Sequence, residues 1–236
     1  MGTWDHTTTE VDRIMKPAAL ALSIAMALSA APAFSQISIG VGLPSINIGI
    51  NVPAFPTLTV IPGYPVYYAP SVDGNLFFYD GLYWSLNGDH WYSSRWYNGP
   101  WDYVAPEAVP DYLWRVPVRY YRRPPPFFRG WRGDEIPHWG EHWGPGWQAQ
   151  HRDWNHWDRH AAPPPAPLPT YQREYRGERY PRPEEQDAVH RQNYSYQHQD
   201  PVVRQRMEGE QRRGPEGRPE PGRGEHEHEH EHEHDR

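Results

Sequence analysis

The chain has 236 residues, no cysteine and a formal net charge of −7 at pH 7. The lack of cysteine excludes a disulfide framework, thiolate metal ligation, a lipid-modified cysteine anchor and a cysteine nucleophile, so whatever folds is held by packing alone. Lysine occurs once, at Lys16, so beyond the first segment every basic side chain other than histidine is arginine. Arginine suits planar, bidentate and stacking contacts, where lysine acts as a point charge.

The first element predicted is a leader. Met15-Lys16 precede "PAALALSIAMALSA" and then "APAFSQ", which is a basic start, a short apolar run and small residues at Ala33 and Ser35. That order reads as a Sec-type signal peptide over 1–35, cleaved after Ser35, and places the mature chain in the periplasm or outside the cell. The apolar run is short for a membrane span; an uncleaved N-terminal anchor is the alternative. Residues 1–14 are polar and acidic, unlike an n-region, which sets Met15 beside Met1 as the true start. No second long apolar run follows, so no transmembrane segment is expected after cleavage.

Residues 36–62 hold an internal repeat. "ISIGVGLPS" at 37–45 is followed by "INIGINVPA" at 46–54. Alternation of β-branched residues with Ser, Gly and Asn predicts extended strands with one apolar face. Pro44 and Pro53 confine them to edge or unpaired positions. This arm either lies along the folded domain or is offered as a strand to a partner's sheet.

Residues 63–121 are expected to be the folded unit, an aromatic antiparallel β-meander. Asp73-Gly74, Asp80-Gly81 and Asn87-Gly88 recur at seven-residue spacing, and Asn98-Gly99 follows. Such pairs between apolar runs are the strongest local hairpin signal, because both central positions take positive φ. With two-residue turns at Asp80-Gly81 and Asn87-Gly88, Tyr79 faces Leu82, Phe77 faces Trp84, Leu86 faces Asp89 and Trp84 faces Trp91. Phe77, Trp84 and Trp91 then share one face, and Phe78, Tyr83 and Tyr92 the other. A unit this small cannot leave many of its rings on the surface and remain folded, so most are core. The Trp84–Trp91 face is expected to be buried, with a ligand on the Tyr83–Tyr92 face beside His90.

The rest is predicted as a cap and a tail. A turn of helix is expected within 106–113, and a last strand or an extended segment over Val116–Tyr121. Pro124 to Pro126 favour polyproline II. Residues 122–160 make a Pro/Arg-rich and then Trp/His-rich cap. Gly140, Gly144, Pro145 and Gly146 stop a helix in its first half, and one is expected from Trp147 to His160. Residues 161–236, rich in Pro, Gln, Arg, Glu and Gly, read as a long disordered tail. The fold class is thus mainly β, with an extended N-terminal arm, a short Trp/His-rich helical cap and a disordered Pro/Arg-rich tail.

Several motifs carry a resemblance. "YYAP", "FFYDGLYW", "WYSSRWYNGPW", "VPVRYYRRPPPFFRGW", "HWGEHWG" and "LPTYQREY" resemble a family of uncharacterised exported proteins of Gram-negative bacteria, over about Tyr64 to Tyr180. The resemblance implies export and a Gram-negative envelope, and it implies no activity. The nine-residue repeat and the His/Glu tail are not part of it.

The candidate chemistry follows from composition. "HWGEH" at 138–142 has the spacing of an inverted zinc-peptidase motif, but Gly140 lies inside it and Gly144-Pro145 follow, which opposes the helix that motif needs. No nucleophile elbow, phosphate loop or dinucleotide fingerprint occurs, and the expectation is a protein that is not an enzyme. His226, His228, His230, His232 and His234 alternate with glutamates. Such a tract requires no cofactor yet can gather Zn, Ni, Cu or Co with modest selectivity. The histidines at 138, 142, 151, 156 and 160, interleaved with tryptophans, form a second candidate metal set. "RVPVRYYRRPPPFFRGWR" mixes arginine with aromatics, and Arg119, Arg122 and Arg123 are its candidate ligand residues. Export argues against nucleic acid as partner and favours an anionic envelope polymer or an envelope protein. The predicted function is a non-enzymatic envelope binding protein; the alternative is a periplasmic divalent-metal buffer or chaperone using the tail.

Overall fold

The computed structural model describes residues 48–213. The predicted leader, the first unit of the nine-residue repeat and the His/Glu tail lie outside the described residues.

At the centre is a six-stranded antiparallel sheet in simple meander order: β1 (Thr59–Val60), β2 (Val66–Tyr68), β3 (Asn75–Tyr79), β4 (Leu82–Asn87), β5 (His90–Ser94) and β6 (Asp102–Val104). The two predicted tight turns produce the two long hairpins. Asp80 and Gly81 both take positive φ, at 47° and 86°, the type I′ requirement. The register follows: Phe77 faces Trp84, Phe78 faces Tyr83, and Tyr79 faces Leu82.

The second hairpin departs from expectation. Asn87 faces His90, Leu86 faces Trp91, and Trp84 faces Ser93 rather than Trp91. Its turn is Gly88-Asp89, with positive φ only at Gly88, as a type II′ turn with glycine at its first central position allows. Asn87 is thereby left in the strand, where its side-chain amide donates to the Ile48 carbonyl at 2.6 Å. Moving the turn by one residue shifts the register by two, which preserves which side chains share a face. Asp73-Gly74 is no two-residue turn: β2 and β3 are joined by residues 69–74, and Pro70 lies in that link.

Both faces of the sheet are covered. Phe77, Tyr79, Leu82, Trp84, Leu86 and Trp91 point into one core, and Leu76, Phe78 and Tyr83 into the other. The first core is covered by residues 106–157. That stretch contains a 3-10 turn at Pro106–Ala108, α1 (Asp111–Trp114), further 3-10 turns at Val118–Tyr120 and Pro126–Phe128, and α2 (Trp139–Gln150). Trp114 is the hub of this cover, with ring centroids 5.6 Å from Trp91, 4.7 Å from Trp139 and 5.4 Å from Trp147. These edge-on pairs add to the burial of large apolar area.

Three local expectations need correcting here. The segment Val116–Tyr121 is not a strand; it forms a 3-10 turn tied by its backbone to Gly133 and Glu135. The cap helix begins at Trp139 rather than Trp147. It breaks at Gly144, whose φ is 80°, and ends at Gln150. Gly144-Pro145 therefore kinks the helix rather than preventing it, since proline is tolerated at the start of a new helical turn.

The larger correction concerns residues 161–213, expected to be disordered. They form 3-10 turns at Arg159–Ala161, Thr170–Glu174 and Gly177–Arg179, then α3 (Pro183–Asn193) and α4 (Pro201–Arg213). Among the described residues helical positions consequently outnumber strand positions, so the expected antiparallel sheet is present but mainly β describes the fold only in part. The low apolar content is offset by hydrogen bonding and a few well-placed anchors. Ala166, Leu168, Tyr180, Tyr194 and Tyr196 pack on the second core, and Val203 and Met207 of α4 on the first. Of the arm, residues 48–58 lie along the second face with Ile48 and Val52 buried, and Thr59–Val60 alone pair as an edge strand. No helix among the described residues is long and apolar enough to cross a membrane.

Candidate anion-binding surface

The expected ligand face is occupied by the chain itself. Tyr83 is 0% exposed, and its hydroxyl donates to Gln172 Oε1 at 3.1 Å. Gln172, also fully buried, donates in turn to the Arg95 carbonyl at 2.8 Å and the Tyr171 hydroxyl at 3.1 Å. Burial pushes the Tyr83 phenol well above its usual range, so it is a neutral donor. Tyr92 is half-buried, with its ring 6.2 Å from Tyr103, and exposed His90 lies 5.7 Å from the same Tyr103 ring. What remains of the predicted face is this short His90–Tyr92–Tyr103 strip. Tyr83 is removed from it by residues 170–175, part of the segment whose composition predicts disorder.

The arginine segment lies on the other side of the sheet. Its aromatics point inward: Tyr121 and Phe128 are buried in the first core, with Phe127 and Trp131 packed against it. Alternation of this kind leaves the guanidinium groups outside, and Arg119, Arg122, Arg123, Arg129 and Arg132 are all exposed. They are not equivalent. Arg123 makes a two-pronged ion pair with Asp73, and its backbone N–H and C=O both bond the Asn75 side chain, at 2.8 and 2.6 Å. It is therefore a clasp between the segment and the β2–β3 link. Arg132 is paired with Asp134 and Glu135, at 3.4 and 3.0 Å. Arg119 lies over the Tyr120 ring at 5.4 Å. Among the described residues, Arg119, Arg122 and Arg129 have no carboxylate within ion-pair distance. Arg115, from the same motif, is buried, bonding the Trp154 carbonyl and the Asp111 carboxylate. The structure thus divides the predicted site: Tyr83, His90 and Tyr92 belong to one face, and Arg119, Arg122 and Arg123 to the other.

The peptidase-like motif is not assembled. His138 Nδ1 is 3.2 Å from Glu141, and His142 stacks on Phe127 at 3.6 Å with Nε2 3.4 Å from Asp89. The two rings serve different partners. His151 stacks on Trp147 at 4.1 Å, and His156 and His160 are exposed. Among the described residues no three His, Asp or Glu side chains come together in a way that could hold a metal ion. The candidate ligands His226 to His234 lie outside those residues.

Sequence reasoning missed the clasp at the β3–β4 turn. Asp80 is buried, and its carboxylate accepts from the Tyr196 hydroxyl at 2.8 Å, the Gln199 N–H at 2.8 Å and the Asp200 N–H at 3.0 Å. Its carbonyl lies 2.6 Å from His198 Nδ1. Asp200 accepts from the Tyr79 hydroxyl at 2.9 Å and caps α4 by accepting from Val202 N–H at 2.8 Å. Burial pushes the Asp200 carboxyl above its usual range. Asp200-Pro201, an acidic cap before proline at the first helical position, was the only local signal. Nothing local marks Asp80 as its partner, because the two are 120 positions apart.

The chain has no match among protein-family models, curated proteins or solved structures.

Proposed function

We propose that this chain is an exported, non-enzymatic binding protein of the bacterial envelope, and that the face bearing Arg119, Arg122 and Arg129 takes a phosphate-bearing envelope polymer. The observation that carries the reading is the inside-out sorting of residues 118–132. Aromatics fix the backbone to a core, and three guanidinium groups stand outside with no carboxylate paired to them. Guanidinium forks match phosphate oxygens bidentately. A face whose backbone is already held loses little ordering entropy on binding.

The test is binding to lipopolysaccharide, as the phosphate-rich probe, by wild type and by the triple variant Arg119→Gln/Arg122→Gln/Arg129→Gln. At roughly 1 kcal/mol for each exposed charged contact, the triple variant should bind about a hundredfold more weakly. Wild-type binding should weaken as salt is raised. Equal binding by the two proteins sinks the reading. Because all three side chains are exposed, the fold should be unaffected.

A further inference from the structure

A second basic site lies over the other core, where residues 54–58 run beside the segment that ends in Arg176. A groove of about 400 Å³ opens there, and its charged lining residues are Arg173 and Arg176 alone. Phe55, Leu58 and Leu168 supply an apolar wall, and Thr57 a hydroxyl. A larger groove beside α3 carries Glu178, Glu184 and Glu185 among its arginines, so its field largely cancels. The smaller groove has one sign only. Concave walls of low dielectric concentrate such a field.

One of its two cations is positioned by a ring, and the other by its place in the chain. The Arg173 guanidinium sits 5.4 Å over the Phe55 ring, a cation–π contact. Phe55 is itself braced edge-on against Tyr97 at 5.8 Å. Arg173 follows directly on Gln172, the buried residue bonded to Tyr83 and Arg95. Arg176 follows Tyr175, whose carbonyl accepts from the Tyr97 hydroxyl. Neither guanidinium has a carboxylate partner among the described residues. Two guanidinium groups, one of them stacked on Phe55, and an apolar wall in a volume of this size suit a small, anionic, partly apolar ligand.

We infer that the Phe55–Arg173–Arg176 groove is a binding subsite for a phosphorylated sugar, with the phosphate between the two guanidinium groups and a sugar C–H face on the Phe55–Leu58–Leu168 wall. The site shares no residue with the Arg119 face, so either can fail without the other.

Calorimetry with glucose 1-phosphate, inorganic phosphate and glucose, on the full chain, tests it. Glucose 1-phosphate should bind in one site, inorganic phosphate at least several-fold more weakly, and glucose without measurable heat. Arg173→Gln/Arg176→Gln should weaken glucose 1-phosphate at least tenfold, and Phe55→Leu should weaken it several-fold with little effect on inorganic phosphate. Arg119→Gln/Arg122→Gln/Arg129→Gln should leave it unchanged. Undiminished binding by the Arg173/Arg176 variant overturns the site. Equal affinity for inorganic phosphate and glucose 1-phosphate overturns the sugar assignment.

Discussion

Single side chains in this protein do their work mainly by being buried with a partner. His190 shows the consequence for pH. Its Nδ1 lies 2.7 Å from the Tyr171 hydroxyl and its ring 5.1 Å from Tyr194. Burial pushes its pKa from 6.5 down to about 4, with Arg95 adding to the effect and Asp187 opposing it. The native state therefore refuses a proton that the unfolded chain accepts. Stability should fall as pH drops through the window from 6.5 to 4, and level off below it. The full loss is on the order of 3 kcal/mol, or roughly 6–12 °C in Tm for a domain of this size. His190→Gln can still accept from Tyr171 and does not titrate, so thermal melts across that window should lose this slope. Burial raises the Asp200 and Glu210 carboxyls and acts in the opposite sense on the acid limb, but equally in both proteins. If the wild-type and variant curves stay parallel from pH 6.5 to 4, His190 is not the titrating group.

Among the elements, the hairpins and the closing segment behave differently. The β3–β4 turn serves two ends, closing a hairpin and clasping residues 196–200. Asp80→Asn separates them. Asparagine tolerates the left-handed conformation before glycine, so the hairpin should persist. Its amide replaces one acceptor oxygen with a donor, which faces an N–H now served by Asp80. The clasp should weaken by about 1–2 kcal/mol. Hydrogen exchange should quicken over residues 196–213 and stay slow in β3 and β4; uniform quickening would show that the turn, not the clasp, was damaged. This difference explains what was legible. Asp80-Gly81 announces itself because φ is a local property, and the sharing of faces by Phe77, Trp84 and Trp91 survives even a misplaced second turn. The closing segment does not announce itself. Its stability rests on Gln172, Asp200 and Tyr196 meeting groups about a hundred positions away, and a composition poor in apolar residues looks the same whether or not such partners exist.

The described residues form one meander sheet between two covers, and the covers carry different groups of arginines. The Arg119–Arg129 face belongs to the layer over the first core, and the Arg173–Arg176 groove to the layer over the second. Sequence can nominate the first as a candidate, because its arginines are close together in one motif. It could not reveal the second, because Phe55 and Arg173 meet only once the arm and the closing segment lie side by side. The two proposed phosphate-directed sites, on opposite faces of one sheet, would let the protein hold two chains or two surfaces at once, with avidity set by geometry rather than by either contact alone. Vesicles of lipopolysaccharide should therefore cluster when mixed with wild type, as followed by light scattering. Clustering should rise and then fall as protein is added, because excess protein saturates each surface and leaves nothing to bridge. Arg173→Gln/Arg176→Gln should still bind the vesicles through the Arg119 face yet cluster them little, and the Arg119/Arg122/Arg129 variant should likewise lose clustering. Clustering by the Arg173/Arg176 variant at the wild-type level would mean that one face suffices and that the two sites do not act together.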